Sequence, residues 1–291
     1  MRRGLAATAL LLTLACLLAV AATAEAGFRV SPTTLDLERR PGTAASGSFD
    51  VAIKGERQSQ FEVEVQDIVQ QPDGSPSFVP ASKSPYSASS WVSVSPKSFS
   101  GSPDRTQPVT FKVRVPADTQ PGDHLTSLTV KRIPKADSDA IATSIAAISV
   151  RLTVHVVGRR RPEAKIVSFD APSVSAGSLG VSATVENTGN VSLDFDGDEA
   201  GALSVLQGDD VKREEPFTGA LFPGQTRSFT LDWDGAPLAG LLKAEVSVDP
   251  GDGAITDEKT VLRFPWKPII ALVLVALAAM VLLKGRRSGR I

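Results

Sequence analysis

Between Ile148 and Val156 every second residue is a large aliphatic one (Ile148, Val150, Leu152, Val154 and Val156), and the residues between them are polar or charged. Side chains two positions apart share one face of a strand, so this period demands a β-strand with one wet face and one packed face. The same alternation recurs at Phe49/Val51/Ile53, Phe61/Val63/Val65 and Val109/Phe111/Val113/Val115. Turn signals separate these runs at Pro41-Gly42, at Pro72-Asp73-Gly74-Ser75-Pro76 and at Pro121-Gly122-Asp123. Across residues 27–265 no helical period lasts three turns, and about seven strands at this spacing predict an immunoglobulin-like β-sandwich.

The pattern breaks at Gly158-Arg159-Arg160-Arg161-Pro162 and then restarts. A short charge run ending in proline is usually a solvated linker, so residues 159–163 divide a first domain, 27–158, from a second, 164–265. In the second, the alternating runs are Val181/Ala183/Val185, Phe229/Leu231/Trp233 and Leu242/Ala244/Val246/Val248. Its turns fall at Asn187-Thr188-Gly189-Asn190, Pro223-Gly224 and Pro250-Gly251. The expectation is an all-β ectodomain of two tandem immunoglobulin-like β-sandwiches, followed by one C-terminal transmembrane helix.

Both ends of the chain are apolar. Arg2 and Arg3 precede a run from Leu5 to Ala22, and Ala24-Glu25-Ala26 offers the small residues of a signal-peptidase site. Residues 1–26 are therefore expected to be a signal peptide, although the run is long enough that it could stay as an uncleaved anchor. Near the other end, Ile269 to Leu283 is uninterrupted apolar sequence with ten Ile, Leu or Val residues. At roughly −0.3 to −0.6 kcal/mol each, these favour insertion by about 3 to 6 kcal/mol. A helix over 266–284 would span a bilayer, with Trp266 at the interface. Lys284, Arg286, Arg287 and Arg290 then place a short tail, 285–291, in the cytoplasm and the two domains outside. The only cysteine, Cys16, lies in the leader, which suggests a bacterial envelope more than a disulfide-rich ectodomain.

Catalytic chemistry has little to draw on. The ectodomain has two imidazoles, His124 and His155, both read as surface or edge residues, and it has no thiol. No Gly-x-Ser-x-Gly, His-Glu-x-x-His or phosphate loop occurs. No enzyme activity and no cofactor are expected, and a net charge of −1 gives no reason to expect nucleic acid. Asp194, Asp196 and Asp198 alternate in one stretch and could supply hard oxygens to Ca²⁺, or could simply be a solvated loop. Asn190-Val191-Ser192 fits a glycosylation acceptor and is read as coincidence. The segment from Asp67 to Ser95 reads as the longest irregular stretch. Trp91 is expected to enter a strand and fill the core, while Phe78 and Tyr86 are candidates for a ligand-binding platform.

Three stretches carry a resemblance: Phe28-Arg29-Val30-Ser31-Pro32-Thr33, the Pro41-Gly42 turn, and Ser87-Ala88-Ser89-Ser90-Trp91-Val92-Ser93-Val94-Ser95-Pro96. In these the first domain resembles the N-terminal domain of bacterial WxL-interacting surface proteins, and it is similar to the pilus-chaperone-like immunoglobulin fold. The resemblance implies attachment to peptidoglycan through the first domain and contact with another surface protein through the second. The leading expectation is thus a non-catalytic, membrane-anchored envelope protein that binds peptidoglycan or a neighbouring surface protein. The alternative is a membrane-tethered chaperone or scaffold that acts on exported subunits by β-strand augmentation.

Overall fold

The computed structural model describes residues 27–54, 58–80, 84–133, 146–196, 200–251 and 253–288, with backbone alone at 267, 268 and 281–288. The signal-peptide expectation therefore lies outside the described residues. Among the described residues, ten strands build the first domain: β1 (Phe28–Ser31), β2 (Thr34–Arg39), β3 (Ala44–Ile53), β4 (Ser59–Gln70), β5 (Pro76–Val79), β6 (Val92–Ser95), β7 (Ser98–Gly101), β8 (Thr106–Arg114), β9 (Gly122–Ile133) and β10 (Ala147–Val156). The second has β11 (Ala164–Asp170), β12 (Val174–Ser175), β13 (Leu179–Asn187), β14 (Leu193–Asp194), β15 (Gly201–Gln207), β16 (Asp210–Pro216), β17 (Ala220–Leu221), β18 (Thr226–Trp233), β19 (Gly240–Val248) and β20 (Ile255–Arg263). A helix, α1 (Trp266–Ser288), follows.

In the first domain a sheet ordered β1-β3-β8-β6 packs on one ordered β2-β10-β9-β4-β5, with β7 also paired to β4. The chain crosses between sheets at Pro32, which has no N–H to continue the β1 ladder. On the far side β2 runs parallel to β10, from Thr34 beside Arg151 to Arg39 beside Val156. The residues singled out by alternation are the core: Phe49, Val51, Phe61, Val109, Phe111, Val113, Val150, Leu152 and Val154 are buried in one cluster. Gly47 sits directly over the Phe111 ring, where a Cβ would collide with it.

The second domain pairs a β11-β13-β18 sheet with one ordered β12-β20-β19-β15-β16. Its core gathers Val181, Ala183, Val185, Leu231, Leu242, Ala244 and Val246 around the rings of Phe195, Phe217 and Phe229. The Phe217 and Phe229 rings stack at 3.7 Å, with Phe195 edge-on to both. Both sandwiches are thus present, and the break between them falls where Val156 ends β10 and Ala164 begins β11.

Several expectations need correction. The stretch from Asp67 to Ser95 is irregular only in part: β4 runs on to Gln70 and turns into β5, and Ser89–Trp91 form a 3-10 turn before β6. Trp91 closes that turn before β6 instead of entering the strand, and it caps the core half-buried. His124 is not a surface residue; it is 1% exposed. The segment 84–91 lies along β9, with Leu125 N–H bonded to Tyr86 O and Ala88 N–H to Leu125 O. That covering buries both faces of β9 from Gly122 to Val130. At the C-terminus α1 runs four residues past the expected 284. Among the described residues no helix is long and apolar enough to cross a membrane.

Candidate functional site

The two domains meet through a polar junction that the residue pattern does not announce. Gln70, the last residue of β4, and Gln225, just before β18, each bond across it. Gln225 Oε1 accepts the Gln70 backbone N–H at 2.6 Å, and Gln70 Nε2 donates to Ala220 O at 2.7 Å. The tip of the β4–β5 hairpin adds a backbone bond from Ser228 N–H to Pro72 O at 2.7 Å. Ile68, Leu125 and Phe222 fill the space between as a small apolar plug. Each such hydrogen bond contributes about 0.5–1.5 kcal/mol, so the domains are pinned relative to one another.

A second knot lies beside the linker. Asn190 is 5% exposed, its Nδ2 donates to Pro121 O and Arg159 O at 2.9 Å each, and its Oδ1 accepts Arg161 N–H at 2.7 Å. A glycosylation acceptor needs a free amide, and this one is consumed. The arginine side chains of the linker are exposed as expected, but its backbone is fastened at both ends. Asp123, 3% exposed, completes the knot. Its Oδ1 meets His155 Nδ1 at 2.7 Å and its Oδ2 accepts Ser192 N–H at 2.7 Å. His155 Nε2 in turn faces Asp36 at 3.6 Å. His155, read as a plain polar-face residue, instead bridges two carboxylates.

Above these knots opens a cleft of about 370 Å³ between the domains. The first domain supplies Thr34, Ile68, Phe78, Ser149 and Arg151, and the second supplies Thr218, Phe222 and Arg227. Arg151 lies over the Phe222 ring at 5.9 Å and Arg227 over Phe229 at 4.8 Å. The Nε atoms of both arginines are buried without a hydrogen-bond partner among the described residues. Burial pulls the Arg227 guanidinium below its ordinary pKa, with Asp196 and Asp73 opposing. A buried donor left unpaired costs about 1–3 kcal/mol, and both of these belong to side chains that line the cleft.

The cleft adjoins an open strand edge. β10 pairs with β9 over its whole length, but β2 covers its other side only from Arg151 to Val156. Along Ala147–Val150 that side is unpaired among the described residues. A shallow groove lined by Phe28, Val30, Pro32, Thr34 and Ile148 continues from this free edge, and Thr34 lines both groove and cleft.

No family model matches the sequence, and no curated protein matches it. Solved structures that the chain resembles include fimbrial chaperones. The class 5 fimbriae chaperone CfaA is 9% identical, with a TM-score of 0.41 over 80% of this chain and 99% of that one. The E. coli chaperone DraB is 15% identical, with a TM-score of 0.37 over 80% and 96%. A chain from the complex of Salmonella enterica SafA pilin with the SafB chaperone is 16% identical, with a TM-score of 0.38 over 82% and 98%. At TM-scores below 0.5, function has to be read from this chain's own residues.

The expected site residues divide. Phe78 lines the cleft from β5, partly exposed. Tyr86 does not join it; its hydroxyl donates to Gly189 O at 3.1 Å and its ring lies against Gly224, so it belongs to the junction. Asp194 Oδ1 accepts Asp196 N–H at 3.0 Å, and Asp196 Oδ1 accepts Gly219 N–H at 2.6 Å, which shapes a loop. Asp198 lies outside the described residues. Among the described residues no cluster of His, Cys, Asp or Glu is set to hold a metal ion. Arg151, Arg227, Gln70 and Gln225 escaped the sequence reading, since each looks like an ordinary polar position on an alternating strand or turn.

Proposed function

We propose that this chain is a non-catalytic scaffold or chaperone of the cell envelope that holds an extended, acidic or carboxylate-ended segment of a surface-protein partner between its two domains. One observation carries the reading: two arginines, Arg151 and Arg227, line a cleft that abuts the unpaired half of β10. A partner strand laid along Ala147–Val150 would extend the line of β2 and gain backbone hydrogen bonds. Its carboxylate would reach Arg151 and Arg227, and its apolar side chains would meet Phe78 and Phe222. This favours strand augmentation over the peptidoglycan reading, because a sugar ring calls for a pair of open aromatic faces and Tyr86 is spent on the junction.

The membrane tether belongs to the same proposal. It is supported by the apolar run Ile269 to Leu283 with its basic tail, and by the exposed aliphatic side chains that α1 carries along its described length. Such a protein would sit at the plasma membrane with both domains outside.

Purification of the tagged full-length chain from its own membranes tests the partner claim. A stoichiometric surface protein should accompany the wild type and be lost from Arg151→Glu/Arg227→Glu. Equal recovery from both would refute it.

A further inference from the structure

At the end of the second domain nearest α1, the outer face of the β12-β20-β19 sheet changes character. Val174 and Leu241 both pair with Leu262, so the three side chains form one rung on one face. All three are exposed, Leu241 at 61%. Further along the same face the next rungs are Thr260–Lys243 and Glu258–Glu245, with Lys243 ion-paired to both glutamates. The face is therefore apolar at the end beside the helix and charged away from it. Leu238, 74% exposed, and Phe264 extend the apolar end.

This end is rigid. Arg263, 2% exposed, points inward, and its guanidinium donates to Pro237 O at 2.9 Å, to Ser175 Oγ at 2.7 Å and to Gly177 O. That clasp ties the loop bearing Leu238 and the loop after β12 to the last residue of β20. Phe264 N–H still bonds Ser175 O at 3.1 Å, leaving Pro265 as the one residue between sheet and helix. Leu262 is four residues from Trp266, a reach of at most about 14 Å.

We propose that this apolar end beds into the headgroup layer of the bilayer, fixing the tilt of the second domain against the membrane. The inference rests on the tether proposed above. If α1 spans, its first turn lies at the outer interface, and the Val174–Leu262–Leu241 rung is held at headgroup depth by a link with no slack. The occupant is a lipid surface recognised by apolar burial and not by charge, since the one arginine there is turned inward. Contact should therefore be indifferent to added salt and to anionic lipid.

The test uses the full-length chain, with Cys16→Ser, in phosphatidylcholine vesicles carrying spin-labelled headgroup-proximal acyl chains. A fluorophore is placed in turn at Leu238→Cys, at Thr256→Cys on the far end of the same face, and at Ala271→Cys in the helix. The proposal expects quenching at 238 and 271, none at 256, and no change at 238 in high salt. Quenching at 271 with 238 as bright as 256 would overturn the bedding and leave the tether standing. Full brightness at all three positions would refute the tether and, with it, the bedding.

Discussion

Asp123 in the first domain accepts the backbone N–H of Ser192 in the second at 2.7 Å, and its other oxygen holds His155. One buried carboxylate thus spans the domain junction, using both of its oxygens. Asp123→Asn keeps the shape but can accept through one oxygen only. It should lower unfolding stability by about 1–3 kcal/mol, read by urea denaturation, because one buried partner is left unmatched. A loss below ~0.3 kcal/mol would show that the bridge contributes nothing.

Asn190→Ala should cost at least as much, since three backbone groups (Pro121 O, Arg159 O and Arg161 N–H) lose their partner together. The paired change Asn190→Ala/Asp123→Asn should be non-additive, because Asp123 N–H also bonds Asn190 O at 2.8 Å. A double-mutant cycle by urea denaturation checks this; strict additivity would mean that the two residues act separately.

His124 gives the fold a pH dependence. Its Nε2 donates to Gln120 O at 3.0 Å, while Nδ1 is buried without a partner, and Trp91 lies 4.6 Å from the ring. Burial lowers its pKa from the ordinary 6.5. The unfolded chain then takes up the proton first, so this contribution is complete above about pH 6.5 and is lost as pH falls toward the depressed native value. Stability measured from pH 7.5 to 5 should decline more steeply for wild type than for His124→Phe. Parallel curves would contradict the assignment.

Arg151 should separate folding from binding. Arg151→Met keeps an unbranched side chain in the same place and removes the guanidinium that lies over Phe222, whose Nε has no partner among the described residues, so unfolding stability should stay within ~1 kcal/mol of wild type or rise. Partner recovery should nonetheless fall. A destabilised variant that still bound its partner would reverse this account.

Much of the fold was legible because burial writes itself as period two. Phe49, Val51 and Phe111 announce one core, and Val181, Ala244 and Val246 the other. The junction was not legible, for a physical reason. Gln70 and Asn190 are buried and Gln225 is half-buried; their worth lies in bonds to backbone atoms far away in sequence, and no local period records such partners. Glycines held a partial signal. Gly122 adopts φ +130°, and a Cβ there would strike Asn190 O, yet a Pro-Gly-Asp turn looks the same whether or not another domain rests on it. His124 was misplaced because the segment covering β9 comes from residues 84–91, which carry no strand period of their own. Arg151 looked like an outward strand residue, and it becomes a cleft residue only once Phe222 is packed beside it.

The most direct measurement is site-specific photo-crosslinking in intact cells, with a photoreactive residue at Ser149 on the free half of β10 and, as control, at Asp210 on the charged edge strand β16. The account predicts one discrete crosslinked surface protein from Ser149, joined through an extended segment next to an acidic group or a C-terminus, and abolished by Arg151→Glu. Crosslinks of equal yield from both positions, or a Ser149 adduct indifferent to Arg151→Glu, would contradict it.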